Sequence, residues 1–143
     1  MRDISRVAVL GSGVMGGAIA AHLANCGIPS LMLDIVPKDA PKDDRKKRNA
    51  ICQAAKDNLL KTKPAPLYRK SNISMIEVGN FEDDMPRIAE CDWIVEVVVE
   101  RLDIKLKVYE QVAKHRTPGT IVTSNTSGIP IHSMIEVMDD DMK

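Results

Sequence analysis

The chain has 143 residues, 44% hydrophobic and 28% charged, with 20 acidic and 20 basic side chains that cancel to a net charge of zero. That length suits one domain able to bury a core without disulfides or metals, and the zero balance gives no whole-molecule attraction to nucleic acid or to a membrane surface. Cys26, Cys52 and Cys91 form no C-x-x-C pair, no apolar run approaches the ~20 residues of a membrane span, and the charged opening MRDISRVAVL does not read as a signal peptide, so a cytoplasmic protein with reduced thiols and no metal site is expected.

Arg6 to Leu10 reads as a short buried strand closed by Gly11. Val14 to Asn25 reads as a helix rich in small residues, with Gly27 as its C-terminal cap. Ser30 to Asp34 is a second strand, so strand, glycine turn, helix and strand make one βαβ unit. Between 37 and 72 this rhythm breaks into a polar, helical insertion, with a helix over Ala50 to Leu60 whose apolar positions are Ile51, Ala54, Ala55, Leu59 and Leu60. From Lys38 to Lys70 there are 11 Lys or Arg and four Asp, a balance of 11 − 4 = +7. Alternation then resumes: a strand at Ile73 to Val78, a short helix at Met85 to Glu90 and a strand at Trp93 to Val99. A helix at Ile104 to His115, a strand at Thr120 to Ser124 and a helix running from Pro130 toward Val137 complete the chain. This alternation predicts an α/β fold, a doubly wound parallel sheet occupying 1–143 as one domain.

Gly11-Ser12-Gly13-Val14-Met15-Gly16 matches G-x-G-x-x-G between a strand and a helix, and Asp34 closes the next strand 18 residues after Gly16. Each residue type has a physical task. Gly11 permits the tight turn, Gly13 lets the backbone approach a pyrophosphate, and Gly16 lets helix and strand pack closely. The helix N-terminus offers free N–H groups and a positive dipole to phosphates. Asp34 accepts from the adenine-ribose hydroxyls and repels a 2′-phosphate, and Ile35 follows it in place of an arginine. The cofactor expected is therefore NAD and not NADP, against the plainer possibility of a structural glycine turn with no ligand.

Three further features each carry two readings. Glu96, inside Ile94 to Val99, is either paired or turned toward the crevice at the strand ends; Glu100 and Lys105 are either part of that crevice or a solvated loop pair. Ser124-Asn125-Thr126-Ser127-Gly128 either caps a turn through side-chain to backbone bonds or places hydroxyls beside a nicotinamide. The basic insertion is either a solvated helix or an anion clamp suited to a phosphate-bearing substrate such as coenzyme A, with Lys56, Lys61 and Lys63 as its candidates.

Taken together, VLGSGVMGGAIAAHLA (9–24), LMLD (31–34), CDWIVEVVVERLDIK (91–105) and SNTSGI (124–129) resemble the N-terminal NAD-binding domain of 3-hydroxyacyl-CoA dehydrogenase. The insertion, with KPAP (63–66) and GNFEDD (79–84), looks like the branch in which this unit is fused to an enoyl-CoA hydratase module. The resemblance implies oxidation of a 3-hydroxyacyl-CoA by NAD in fatty-acid oxidation. It implies that Met15 and Asp34 contact the adenosine half of NAD, and that Val98, Val99, Glu100 and Lys105 lie on the nicotinamide-ribose side. Ser127, with Asn125 near it, would meet the substrate hydroxyl at the reacting centre, and the insertion would cover coenzyme A. Arg101 stands where the family usually has Asn.

The resemblance also implies a general-base histidine in a G-x-H-F-F-N-P motif downstream of the SNTS turn, oriented by a later glutamate. Neither occurs in these 143 residues, and His22, His115 and His132 do not match that motif. The expectation is a cofactor-binding unit that is inactive alone and associates with further copies, through a C-terminal domain or through the sheet edge at 120–124. Two other functions stand beside it: a dehydrogenase of a small hydroxy acid, for which a phosphate clamp has no use, and a non-catalytic NAD-binding module.

Overall fold

A computed structural model describes residues 3–138 and 140–141. Strands β1 (Val7–Leu10), β2 (Ser30–Asp34), β3 (Ile76–Asn80), β4 (Trp93–Glu96) and β5 (Ile121–Ser124) form one sheet in the order β3-β2-β1-β4-β5, with every pairing parallel. Leu10 pairs with Leu33 and Glu96, Asp34 with Asn80, and Glu96 with Ser124. All five strands therefore end along one edge, and the order reverses between β1 and β4, where doubly wound sheets bind ligands.

Both faces of the sheet are covered, which is why the central strands are apolar without alternation. On one face Val7, Val9, Met32 and Val95 pack under helices α1 (Val14–Asn25) and α3 (Ala50–Asn58). On the other Ala8, Leu10, Leu31, Leu33 and Ile94 pack under a 3₁₀ turn at Met85–Glu90 and helix α4 (Leu102–His115). Helix α1 approaches the sheet through Gly16, Gly17, Ala20, Ala21 and Ala24, all buried. It closes as expected at Gly27, φ +78°, where Ile28 N–H bonds Leu23 O at 2.9 Å and Gly27 N–H bonds Ala24 O at 3.1 Å.

Several boundaries differ from the sequence reading. The third strand is Ile76–Asn80, because Ile73 and Met75 are used in a 3₁₀ turn at Lys70–Met75 that packs beside α1. The fourth ends at Glu96 and not Val99: the Glu96 carboxylate accepts the Val98 N–H at 2.8 Å and turns the backbone out of the sheet. Proline at the start of Met85–Glu90 goes with a 3₁₀ helix, and the helix expected after Pro130 is two 3₁₀ turns, Ile131–Ser133 and Ile135–Val137, separated by the buried Met134.

The insertion is less helical than expected but is packed. Helix α2 (Arg45–Arg48) is one turn, capped by Asp44 accepting from Lys47 N–H at 3.1 Å. In α3 the inward positions are Cys52, Ala55 and, just past its end, Leu59, while Ile51, Ala54 and Leu60 face outward. The Cys52 thiol donates to Met32 O at 2.9 Å, and burial pushes it up to about 12. The return path is pinned by Asn25, which donates to Pro66 O at 2.8 Å and accepts from Tyr68 N–H at 2.9 Å. All three cysteines are free, with Cys26 exposed. Among the described residues no helix is long and apolar enough to cross a membrane.

Candidate functional site

The glycine loop leaves β1 at the centre of the strand-end edge. Gly11 sits at φ +115°, and a Cβ there would lie 2.6 Å from Val97 O. A Cβ on Gly16 would lie 1.9 Å from Gly11 O, so no side chain fits either position. Above Gly13 nothing lies within 4 Å of where a Cβ would stand. Gly13 is the N-cap of α1 without a side-chain cap, so the first-turn amides have no acceptor within the helix. Val14 is 91% exposed and Met15 52%, a bare shelf for a ligand.

Asp34, at the end of β2, faces this loop. Its Oδ2 accepts Ser12 N–H at 2.7 Å and the Ser12 hydroxyl, and its Oδ1 accepts Ile35 N–H at 2.7 Å. A carboxylate offers about four acceptor positions. Three are taken, so a second ribose hydroxyl bonds only when the Ser12 hydroxyl turns away. Ser12, an unspecified position of the motif, gave no sign of this in the sequence.

Across the switch point, Glu96 is wholly buried and carries a dense set of donors. Lys105 Nζ lies 2.8 Å from its Oε1 and 2.9 Å from its Oε2, Tyr109 donates at 3.2 Å, and Ser124 Oγ donates to the same Oε2. The pairing, and not solvation at the crevice, is what lets the carboxylate sit in a central strand. Burial raises the Tyr109 phenol above its ordinary value. Tyr109 and Ser124 were not singled out from sequence, although Tyr109 lies four residues after Lys105 and so on the same helix face.

Lys105 is itself 1% exposed and also lies 3.4 Å from Glu100 Oε2. Glu100 reaches across to the turn after β5. Its Oε1 accepts Thr126 Oγ–H at 2.5 Å and the N–H groups of Ser127, Gly128 and Ile129 at 3.1, 2.8 and 3.2 Å. The Thr126 hydroxyl and then the Gly128 amide hold its carboxyl down to about 2. Glu100 and Lys105 are thus no solvated loop pair, and the SNTSG segment is more than a self-contained cap. Ser127, Asn125 and Val99 are exposed beside it, and Val98 is half-buried.

The basic insertion is partly consumed by the acidic loop after β3. Arg48, 9% exposed, bonds Asp83 at 2.7 and 2.9 Å and Glu82 at 2.7 Å. Arg45 pairs with the buried Asp84, and Asn80 joins Asn49 at 2.7 Å to Asp83 at 2.9 Å. Two of its cations therefore tie the insertion to GNFEDD. Lys61 and Lys63 are exposed and Lys56 is half-buried. A cleft of about 410 Å³ separates Gly13, Val14 and Ala18 from Asn58, Thr62 and Pro66. His22 and His132 are exposed and His115 half-buried, none within hydrogen-bonding distance of Ser127 among the described contacts.

These residues fit a dinucleotide: a bare glycine shelf at a helix N-terminus, a carboxylate at the end of β2, and an open turn beyond β5 on the other side of the switch point. The sequence profile of "3-hydroxyacyl-CoA dehydrogenase, NAD binding domain" matches residues 6–143. A probable 3-hydroxyacyl-CoA dehydrogenase of Bacillus subtilis is 51% identical over 99% of this chain and 19% of its own length. One of Deinococcus radiodurans is 44% identical over 98% of this chain and 39% of its own. The 3-hydroxybutyryl-CoA dehydrogenase structure from Escherichia coli shares the fold, with TM-score 0.75 at 23% identity over 98% of this chain and 28% of that one. The chain therefore spans about a fifth to two-fifths of the length of the curated relatives it matches. It belongs to the 3-hydroxyacyl-CoA dehydrogenase family, as the NAD-binding domain of that family.

Proposed function

We propose that the chain is the cofactor-binding half of an enzyme that oxidises 3-hydroxyacyl-CoA to 3-oxoacyl-CoA. The observation that carries this reading is the placement of Ser127 and Asn125 at the same strand-end edge as the glycine shelf, across the switch point from it. Gly11, Gly13, Gly16, Val14, Met15 and Asp34 hold the adenosine diphosphate half. Val98 and Val99 line the other half. Ser127 donates to or accepts from the substrate hydroxyl and orients the carbon that bears it, with Asn125 beside it. NAD, when bound, takes up the hydride.

Coenzyme A is the substrate handle in this reading. Arg45 and Arg48 are engaged within the protein; of the other cations of the insertion, Lys61 and Lys63, with Lys56, are the ones this reading assigns to its phosphates. Lys61 and Lys63 flank Thr62, which lies on the wall of the cleft opposite the glycine loop. A reducing, cytoplasmic setting belongs to the same proposal, as does association through the outer edge of β5. The test is titration calorimetry with 3-hydroxybutyryl-CoA in the presence of NAD. Lys61→Glu with Lys63→Glu should weaken the acyl-CoA and leave NAD unchanged; unaltered acyl-CoA affinity would remove these lysines from the site.

A second reading, a non-catalytic NAD-binding module, draws on one observation. Both carboxylates near Ser127 are committed, Glu96 to Lys105, Tyr109 and Ser124, and Glu100 to the turn. Turnover by the chain combined with the downstream part of a relative would decide against this module.

A further inference from the structure

We infer that Asn80, with Asp83 and Arg48, is a positioning residue for acyl-CoA: it clasps the start of the insertion to the end of β3 and so determines where Lys61 and Lys63 stand relative to the glycine shelf. This rests on the reading above, in which those lysines meet the phosphates of coenzyme A. The Asn80 side chain is wholly buried, and its two donor and two acceptor positions are all filled. Its Nδ2 donates to Asn49 Oδ1 at 2.7 Å and to Asp83 Oδ2 at 2.9 Å. Its Oδ1 accepts the N–H groups of Glu82 at 3.0 Å and Asp83 at 2.8 Å. One half of the amide thus folds the acidic loop back on β3, and the other half joins that loop to the insertion.

The charges around Asn80 repeat the same join. The buried Arg48 guanidinium bonds Asp83 and Glu82, and Arg45 meets Asp84, whose Oδ2 accepts the Asn80 N–H at 3.0 Å. Gly79 leaves room for that carboxylate, because a Cβ there would lie 2.4 Å from Asp84 Oδ2. The clasp starts beside the cofactor carboxylate: Asn80 pairs in register with Asp34, and Phe81 N–H donates to Asp34 O at 2.9 Å. The far end of the insertion has its own fastening at Asn25, which bonds Pro66 O, Tyr68 N–H and Asn72. Between the two asparagines, residues 50–65 have one polar tie to the sheet among the described hydrogen bonds, the Cys52 thiol to Met32 O. Their other inward contacts are apolar, as where Leu59 meets Gly17. Apolar contact is non-directional. The position of α3 over α1, and with it the cleft between Gly13 and Thr62, is therefore fixed from the clasped ends.

The test uses the isotope-labelled 143-residue chain, with 3-hydroxybutyryl-CoA and NAD as probes. Asn80→Asp keeps the shape and the acceptor for the Glu82 and Asp83 amides, but sets an oxygen against Asn49 Oδ1 and the Asp83 carboxylate. It should raise amide exchange along α3 about tenfold or more, with the amides of β1 and α4 unchanged. Acyl-CoA affinity should fall about tenfold while NAD affinity stays within about threefold. Combining Asn80→Asp with Lys61→Glu and Lys63→Glu should weaken acyl-CoA no more than the lysine changes alone, the signature of a residue acting through others. Asn49→Ala removes one of the four bonds of Asn80; it should fall between wild type and Asn80→Asp, and it carries the test if Asn80→Asp does not fold. Unchanged exchange along α3, parallel losses of acyl-CoA and NAD, or additive effects of the asparagine and lysine changes would each overturn the inference. A wild-type chain that failed to bind acyl-CoA would instead refute the coenzyme A reading, and the exchange measurement would still decide the clasp.

Discussion

The ammonium of Lys105 lies 2.8 and 2.9 Å from the two oxygens of Glu96, and neither side chain is more than 1% exposed. Such a pair adds little over apolar residues of the same volume, but removing one partner strands a charge in the interior. Lys105→Met should therefore cost about 3–5 kcal/mol of unfolding free energy. Denaturant titration checks this, and a loss below about 1 kcal/mol would mean that the pair is solvated in solution.

Acid should destabilise the chain along a defined limb. Arg48, then Asn80, holds the Asp83 carboxyl down to about 2 from an ordinary 3.8. Glu100 is held down to about 2 from an ordinary 4.5 by Thr126 and the Gly128 amide. With folded values below unfolded ones, the unfolded chain binds more protons in this range, so stability is present above about pH 5 and is lost as pH falls toward 2. Asp83→Asn should lower the denaturation midpoint at neutral pH and flatten its fall between pH 5 and 2. A pH dependence identical to wild type would show that the Arg48–Asp83 contact contributes nothing.

Asp34→Ala should weaken NAD at least about tenfold, the equivalent of one charged hydrogen bond at roughly 1.5–3 kcal/mol. Because Ser12 competes for the same carboxylate, Ser12→Ala should leave NAD affinity within about threefold of wild type. NADP should bind far more weakly than NAD to both wild type and Ser12→Ala. Calorimetric equality of the two nucleotides in the wild-type chain would refute the role given to Asp34.

What the sequence made legible follows from local rules. The glycine loop, Asp34 and the order of the alternating elements are set by backbone sterics and by apolar runs; the loop and Asp34 stand where they were expected, while the bounds of the third and fourth strands and the helix expected after Pro130 differ. The Gly27 cap is of the same kind. The sequence alone left open what Glu96, Glu100 and Lys105 do, because their partners come from three elements distant in the chain. The arginines of the insertion show the same limit: a count of +7 does not reveal that Arg45 and Arg48 meet Asp84 and Asp83, more than 30 residues away. The slip of the third strand from Ile73 to Ile76 arose because an apolar run does not distinguish a strand from a packed 3₁₀ turn.

Strand β5 pairs with β4 on one side, and no strand pairs with its other side among the described residues. Its outward Ile121 is 38% exposed. Free backbone groups on such an edge invite another strand. Sedimentation of the 143-residue chain should show dimers or larger species that Ile121→Lys reduces. A monomer at every concentration would dismiss this edge as an interface.

The 143-residue chain should bind NAD yet fail to oxidise 3-hydroxybutyryl-CoA on its own. Hydride departs from the hydroxyl-bearing carbon only as the hydroxyl proton is removed, and at neutral pH that proton needs a positioned base. Ser127, proposed to orient the hydroxyl, is a poor base. Glu96 is buried and accepts from Lys105, Tyr109, Ser124 and the Val98 amide, so no acceptor on it faces the crevice. Glu100, held at about 2, has too little affinity for a proton at neutral pH. His132 is exposed on the 3₁₀ turn after Pro130, and His22 lies on α1, with its ring 3.8 Å from Cys26 Sγ. A positioned base contributes about 10²–10⁴-fold. NADH formation should therefore be undetectable with the purified chain and should appear when the downstream part of a relative is added in trans. Turnover by the chain alone that disappears in His132→Gln would place the base within this domain and overturn the assignment.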